Sequence, residues 1–392
     1  MIVVGGTYAE VSRVPSIDRV GGSGLRAALV ANQIRGNASL VSAAADGDDR
    51  LVAEAFCNGV GLSAEFRRRT LPVRFEYFTP LDTPAIVGRD SELDDRQQVT
   101  DDEVLAFGMI EGRPPIVARS VVVDPQQPLG LHGDVLAGID AERSALVLNR
   151  FEAKSLSGEA DPVRSASFLV GQGPHEVVVV KNGARGLLVA DRTGVRACPP
   201  HWSSRVAPLG TGDCFSAAFA AYWFDGAEPF EAARCASACT AQYTAAGDLE
   251  PPVFDVASAK PVPLNDARVY LASPFFSLAE EWQVHLCRDQ LSPHVFSPLH
   301  DVGHGDIEVA QADIDGLHMC DAVFAVIEGN DPGTLYEVGY AAALGLPIVA
   351  YALRPDREGA KMISGLGGEV LDDLATALYR AQWKAMTHAS EH

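Results

Sequence analysis

The chain has 392 residues, 47% of them hydrophobic, and a formal charge of −21 from 31 basic and 52 acidic side chains. That length exceeds one ordinary core, so two domains are expected, and the apolar content excludes extensive disorder. The charge opposes non-specific binding to nucleic acid or an anionic membrane, most strongly after residue 265, where 7 basic side chains face 19 acidic ones.

The strand-like opening Met1-Ile2-Val3-Val4 leaves no room for a signal peptide, and no apolar run reaches the roughly 18 residues of a membrane span. Seven scattered cysteines, of which only Cys235 and Cys239 are close, read as reduced thiols of a cytoplasmic protein rather than a zinc site. From residue 1 to 250, β-rich runs alternate with helical ones, the pattern of a parallel sheet covered by helices. Helices are expected at Leu25–Ile34, Arg50–Asn58 and Cys214–Trp223, and strands at Ser120–Asp124, Ala145–Leu148, Val177–Lys181 and Gly186–Ala190. Short β-prone pieces at Arg74–Phe78 and Ala85–Val87 interrupt the rhythm and suit a small β lid. Four prolines between residues 249 and 266 mark a linker, assigned to 251–266, between domains at 1–250 and 267–392. The second domain is read as a smaller α/β unit, with strands at Ala322–Ile327 and Pro347–Tyr351 and helices at Leu335–Leu344 and Glu369–Lys384.

Gly210-Thr-Gly212-Asp213 stands before the apolar run Cys214-Phe-Ser-Ala-Ala-Phe. Glycines admit close backbone approach, a helix start offers N–H groups to an anion, and Asp213 could accept a proton from a hydroxyl. Alone, this stretch is equally an ordinary helix cap. With Gly21-Gly22-Ser-Gly24, Val-Val-Val-Asp124-Pro125, Asn149-Arg-Phe-Glu152 and Lys181-Asn-Gly183 in the same order, residues 1–250 resemble the PfkB (ribokinase) family of sugar and nucleoside kinases. The resemblance implies a ribokinase-like three-layer α/β domain with a β lid that uses ATP and Mg²⁺. It implies nucleotide binding at Asn149, Glu152, Lys181, Gly183, Gly210 and Gly212, with Asn149 and Glu152 ordering the metal through water. Gly21 and Gly22 would contact substrate, and Asp213 would be the catalytic base. Three departures concern the acceptor: Ala207-Pro208-Leu209 replaces the family's Asp-Thr, Leu25-Arg26 stands where an Asn is usual, and Gly5-Gly-Thr-Tyr-Ala-Glu10 lacks the family's sugar-gripping aspartate, for which Glu10 or Asp18 is the substitute.

In the second domain, Asp331-Pro-Gly-Thr-Leu-Tyr-Glu337 opens a helix, and a carboxylate near a helix start is expected to stay ionised, as a nucleophile must. Taken singly, each acid is also readable as a cap or a surface charge, and Asp321 as structural. His300, His304 and His318 lack the tight spacing of a metal site and read as solvated or hydrogen-bonded side chains. Together with Tyr270-Leu-Ala-Ser-Pro-Phe, Ser297-Pro-Leu-His-Asp301 and Asp313-Ile-Asp, this stretch resembles the nucleoside 2-deoxyribosyltransferase family. The likeness implies a flavodoxin-like or Rossmann-like domain without a cofactor. It implies Glu337 as nucleophile, Asp313 as proton donor to the leaving base, Asp331 on the sugar, and substrate contacts from Tyr270, Ser273 and Thr334. It further implies a homo-oligomer. The combined expectation is a bifunctional enzyme of nucleoside or nucleotide metabolism acting on small molecules. The alternative is a catalytically silent kinase fold that senses nucleotide and regulates an N-glycosidase.

Overall fold

A computed structural model describes residues 1–126, 135–172, 175–305 and 307–392. The chain forms two compact units, Met1–Lys260 and Pro261–His392. Residues 251–260 are packed onto the first unit rather than free. Gln242 Nε2 donates to Asp255 O (2.6 Å), Asp255 N donates to Gln242 Oε1 (2.8 Å) and Trp202 N donates to Lys260 O (2.8 Å). Proline density signals irregular backbone, and such backbone can still dock through its remaining polar groups.

The first unit is built on nine strands. Ser63–Arg68 lies at one edge, followed by Ser39–Ala44, Ile2–Val4, Val99–Phe107, Ile116–Asp124, Ile139–Asn149 and Val177–Lys181, all parallel. An antiparallel hairpin, Leu187–Asp191 and Gly194–Cys198, closes the other edge. Because side chains alternate along a strand, Val122, Val177 and Val179 pack on one face with the helices Ser23–Arg35, Thr211–Phe224 and Pro229–Ala246. Val121, Val123, Val178 and Val180 pack on the other with Arg150–Ser157 and Pro162–Gln172. The result is the three-layer α/β arrangement expected. The lid pieces Arg74–Tyr77 and Ala85–Val87 join two strands the sequence reading lacked, Tyr8–Ser12 and Ile17–Gly21, in a separate four-stranded sheet.

The second unit is a parallel sheet of five strands in the order Val295–Phe296, Val269–Ala272, Ala322–Val326, Ile348–Tyr351, Glu369–Leu371. Numbered along this unit the order is 2-1-3-4-5, the flavodoxin-like arrangement. One expected helix needs correction: Glu369–Leu371 is an edge strand paired to Ile348–Tyr351, and the helix begins only at Leu374, capped by Asp373 Oδ1 accepting from Thr376 N (2.7 Å). The run Glu-Val-Leu is short enough for either state, and pairing with a buried neighbour decides it. No helix among the described residues is long and apolar enough to cross a membrane.

Candidate active sites

Open parallel sheets present their ligand sites at the carboxyl ends of the strands. In the first unit Asp124, Asn149 and Lys181 occupy those ends on three adjacent strands. Asp124 is fully buried, and its Oδ2 accepts from Lys181 Nζ (2.8 Å) and Ser216 Oγ (2.6 Å). Its Oδ1 is buried with no hydrogen-bond partner among the described residues. Asn149 and Glu152 form a reciprocal cap on Arg150–Ser157: Asn149 Oδ1 accepts from Phe151 N and Glu152 N (both 2.9 Å), and Glu152 Oε2 accepts from Asn149 N (2.8 Å). Burial, reinforced by Asp124 and opposed by Lys181, raises Glu152 to about 7. Burial acts against the Lys181 ammonium, but Asp124 and Glu152 outweigh it and lift its pKa.

Gly212 sits in the first turn of Thr211–Phe224, where an added Cβ would lie 3.4 Å from Lys181 Nζ. The unpaired Asp124 oxygen, the Lys181 ammonium and the open backbone at Gly212 together fit a magnesium-bound polyphosphate. Gly183 lies in the turn after Val177–Lys181, outside this set of contacts.

Asp213 is held on two sides. Its Oδ2 accepts from Arg26 Nη1 and its Oδ1 from Gln126 Nε2, both at 2.5 Å. Arg26 Nη2 also donates to both oxygens of Glu10 (2.9 and 2.7 Å), and Glu10 Oε1 accepts from Gly22 N (3.0 Å). Burial pushes Asp213 up against the pull of Arg26, whereas Arg26 overcomes burial at Glu10 and lowers it. The double glycine therefore lies against side chains of the protein itself: a Cβ on Gly21 would meet Glu10 Oε2 at 2.7 Å. Gly22, at φ 96°, caps Ser23–Arg35 in a conformation suited to glycine. Arg26 is fully buried among apolar neighbours of that helix. A charged residue inside the run Leu-Arg-Ala-Ala-Leu-Val-Ala is itself a sequence signal, because a buried guanidinium requires acidic partners.

In the second unit the site forms at the junction of Val269–Ala272 and Ala322–Val326, where the strand order reverses. Tyr270, buried and stacked on Phe296 with ring centroids 5.5 Å apart, donates its hydroxyl to Glu337 Oε1 at 2.7 Å. Glu337 lies in the second turn of Pro332–Ala343, beyond the unpaired N–H groups of the first. The ionised carboxylate expected there is opposed by burial. Burial, offset by the Tyr270 hydrogen bond and reinforced by Asp313 and Asp331, raises Glu337 to about 7. The helix dipole decays too quickly to prevent this. Burial, then the Glu337 charge, raises the Tyr270 phenol far above its ordinary value and keeps it a donor.

Asp331 caps the same helix, Oδ2 accepting from Thr334 N at 2.7 Å. Thr334 is buried with its N–H committed to that cap. Asp313, on the helix Val309–His318, has a buried Oδ1 without a hydrogen-bond partner among the described residues, and burial raises its pKa. Ser273 is buried at the strand end, its hydroxyl donating to Pro274 O at 3.2 Å. Ser297–Asp301 is a self-contained turn: Asp301 Oδ2 accepts from Ser297 N (2.8 Å), and Ser297 Oγ bonds His300 Nδ1 (2.9 Å). His300 Nε2 meets His285 Nδ1 at 3.0 Å, and His318 Nε2 meets the Tyr340 hydroxyl at 3.0 Å. Asp321 Oδ2 accepts from Arg268 N (2.7 Å) and ties two strand entries together.

The chain thus holds two α/β units, each with a candidate site at the carboxyl ends of its parallel strands. In comparison with known families, residues 119–250 match the pfkB family carbohydrate kinases, and residues 269–369 match nucleoside 2-deoxyribosyltransferase. The kinase match begins after Glu10, Gly21, Gly22 and Arg26. Similar solved structures include an adenosine kinase from Sinorhizobium meliloti, with 14% identity, 66% of this chain and 97% of that one covered, and a TM-score of 0.47. A ribokinase from Thermotoga maritima is 18% identical over 64% of this chain and 95% of its own, with a TM-score of 0.47. A nucleoside kinase from Methanocaldococcus jannaschii is 11% identical over 64% and 94%, with a TM-score of 0.46. Comparison with curated protein sequences returns no match.

Proposed function

We propose that the second unit breaks the N-glycosidic bond of a nucleoside, deoxynucleoside or nucleoside 5′-monophosphate through Glu337. The observation that carries this reading is the 2.7 Å bond from Tyr270 to Glu337 Oε1, which fixes one carboxylate oxygen and leaves the other for an anomeric carbon. In the first step that oxygen bonds C1′ as the C1′–N bond breaks, through an oxocarbenium-like state. Asp313, whose pKa burial raises in the direction a general acid needs, gives a proton to the departing base. Water or a second base then attacks C1′, Asp313 takes back a proton, and the Glu337 ester is released. The Asp331 oxygen not used in the cap is the one for a sugar hydroxyl, with Ser273 and Thr334 flanking the substrate.

For the first unit, the match to carbohydrate kinases supports phosphoryl transfer to a hydroxyl of a related nucleoside, sugar or base-derived alcohol. Magnesium–ATP would supply the phosphoryl group, held by Lys181 and the Gly210–Gly212 backbone, with Asn149, Glu152 and Asp124 on the metal side. A second reading is favoured by the Arg26–Asp213 ion pair: the unit binds nucleotide and regulates the glycosidase without transferring phosphate. Either way the chain is read as a cytoplasmic homo-oligomer whose ligands are small molecules, not nucleic acid or membrane. The test is incubation with a nucleoside and monophosphate panel, with and without Mg²⁺ and ATP, resolved by chromatography. Base release is expected in the wild type and absent in Glu337→Ala. Release that survives in Glu337→Ala rejects the assignment.

A further inference from the structure

An acceptor hydroxyl that hands its proton to Asp213 has to sit on one of the two carboxylate oxygens. Arg26 Nη1 takes one acceptor site on Oδ2 and Gln126 Nε2 takes one on Oδ1, both at 2.5 Å, and the carboxylate they hold is buried. Arg26 also packs against the loop before Asp213, since a Cβ on Gly210 would lie 2.2 Å from its Nε. Its other amino group grips both oxygens of Glu10, which in turn takes the Gly22 N–H. Arg26 Nε is buried with no hydrogen-bond partner among the described residues, so the side chain accepts an unsatisfied donor to hold this position. At the polyphosphate end, Lys181 Nζ bonds Asp124 Oδ2, and Asp124 Oδ1 has no hydrogen-bond partner among the described residues.

We propose that Arg26 is a built-in substitute for the acceptor, filling its place on Asp213, so that the first unit holds a nucleotide without passing on its phosphoryl group. The inference rests on the second reading above and names the residue responsible. It also predicts that the missing reaction can be restored. With the guanidinium gone, a hydroxyl reaches Asp213 and gives its proton to the carboxylate. Its oxygen bonds the γ-phosphorus as the bond to ADP breaks.

The test compares the full chain with Arg26→Asn and with Glu10→Gln/Arg26→Asn, in which no buried carboxylate loses its counter-charge at Glu10. Magnesium–ATP binding is measured by calorimetry, folding by thermal unfolding, and ADP formation with and without a panel of nucleosides and free sugars. The expected result is magnesium–ATP binding by all three proteins, no acceptor-dependent ADP from the wild type, and acceptor-dependent ADP from a variant at about 10² times the acceptor-free background, within the range of a general base. Acceptor-dependent turnover by the wild type overturns the proposal. So does a folded double variant that binds magnesium–ATP and gains nothing. If none of the proteins binds magnesium–ATP, the nucleotide-binding reading itself fails, and the lock falls with it.

Discussion

Replacing Tyr270 with Phe removes one hydroxyl from a stacked, buried ring and leaves its packing on Phe296 in place. The hydroxyl donates to Glu337 Oε1 at 2.7 Å and stabilises the ionised carboxylate. A hydrogen bond to a charged group contributes about 1.5–3 kcal/mol, and one pKa unit corresponds to about 1.4 kcal/mol. Glu337, now raised to about 7, should therefore rise by about one to two further units. Only the ionised form attacks, so its share at neutral pH falls from about half to about 1–10%. Base release at neutral pH should drop about 5- to 50-fold, and the acid limb of the pH profile should move up by about one to two units, while the alkaline limb set by loss of the Asp313 proton stays in place. Chromatographic initial rates between about pH 5 and about pH 10 measure this acid limb. An equal loss at every pH, with the limb unmoved, would refute the reasoning.

Glu337→Gln should abolish base release yet stabilise the fold above neutrality. The folded-state pKa is raised, so the protonated carboxyl contributes stability below the unfolded value of 4.5 that is lost as pH rises through about 7. Discounted for partial exposure, the gain at about pH 8 is about 1–2 kcal/mol by denaturant unfolding, shrinking to nothing near about pH 4. Gly210→Ala combines a φ of 93° with a Cβ 2.2 Å from Arg26 Nε. It should cost about 2–4 kcal/mol, and Arg26→Asn in the same chain should recover part of that loss in a double-mutant cycle. Asn149→Ala should lower stability by about 1 kcal/mol through loss of the cap. Asn149→Asp keeps the cap, so weaker magnesium–ATP binding in Asn149→Ala alone would confine the residue to a structural role.

The alternation of elements and the apolar runs of the central strands made both folds legible, because residues 177–180 and Ala322–Val326 are buried on both faces and admit few other readings. The lid was half legible. Tyr8–Ser12 and Ile17–Gly21 carry Glu10, Asp18 and Arg19 among their residues, and pairing in the lid sheet overrides that polarity. At the second site the motif named the acids at 313, 331 and 337, whereas the burial that raises the Glu337 pKa is not visible in it. Position along a helix is readable from sequence, but the burial that controls this carboxylate is set by neighbouring elements. At the first site Arg26 was visible as a departure, and only the fold brings it to Asp213 across 187 positions.

The most direct measurement of the central claim is the mass of the chain quenched in acid during turnover of a nucleoside fluorinated at C2′. The electron-withdrawing fluorine opposes the oxocarbenium-like state and slows release of any covalent intermediate. The account predicts a mass gain of one fluorosugar residue, mapped by peptide digestion to Glu337 and absent from Glu337→Gln. Base released with no adduct at any time, or an adduct on another side chain, would contradict it.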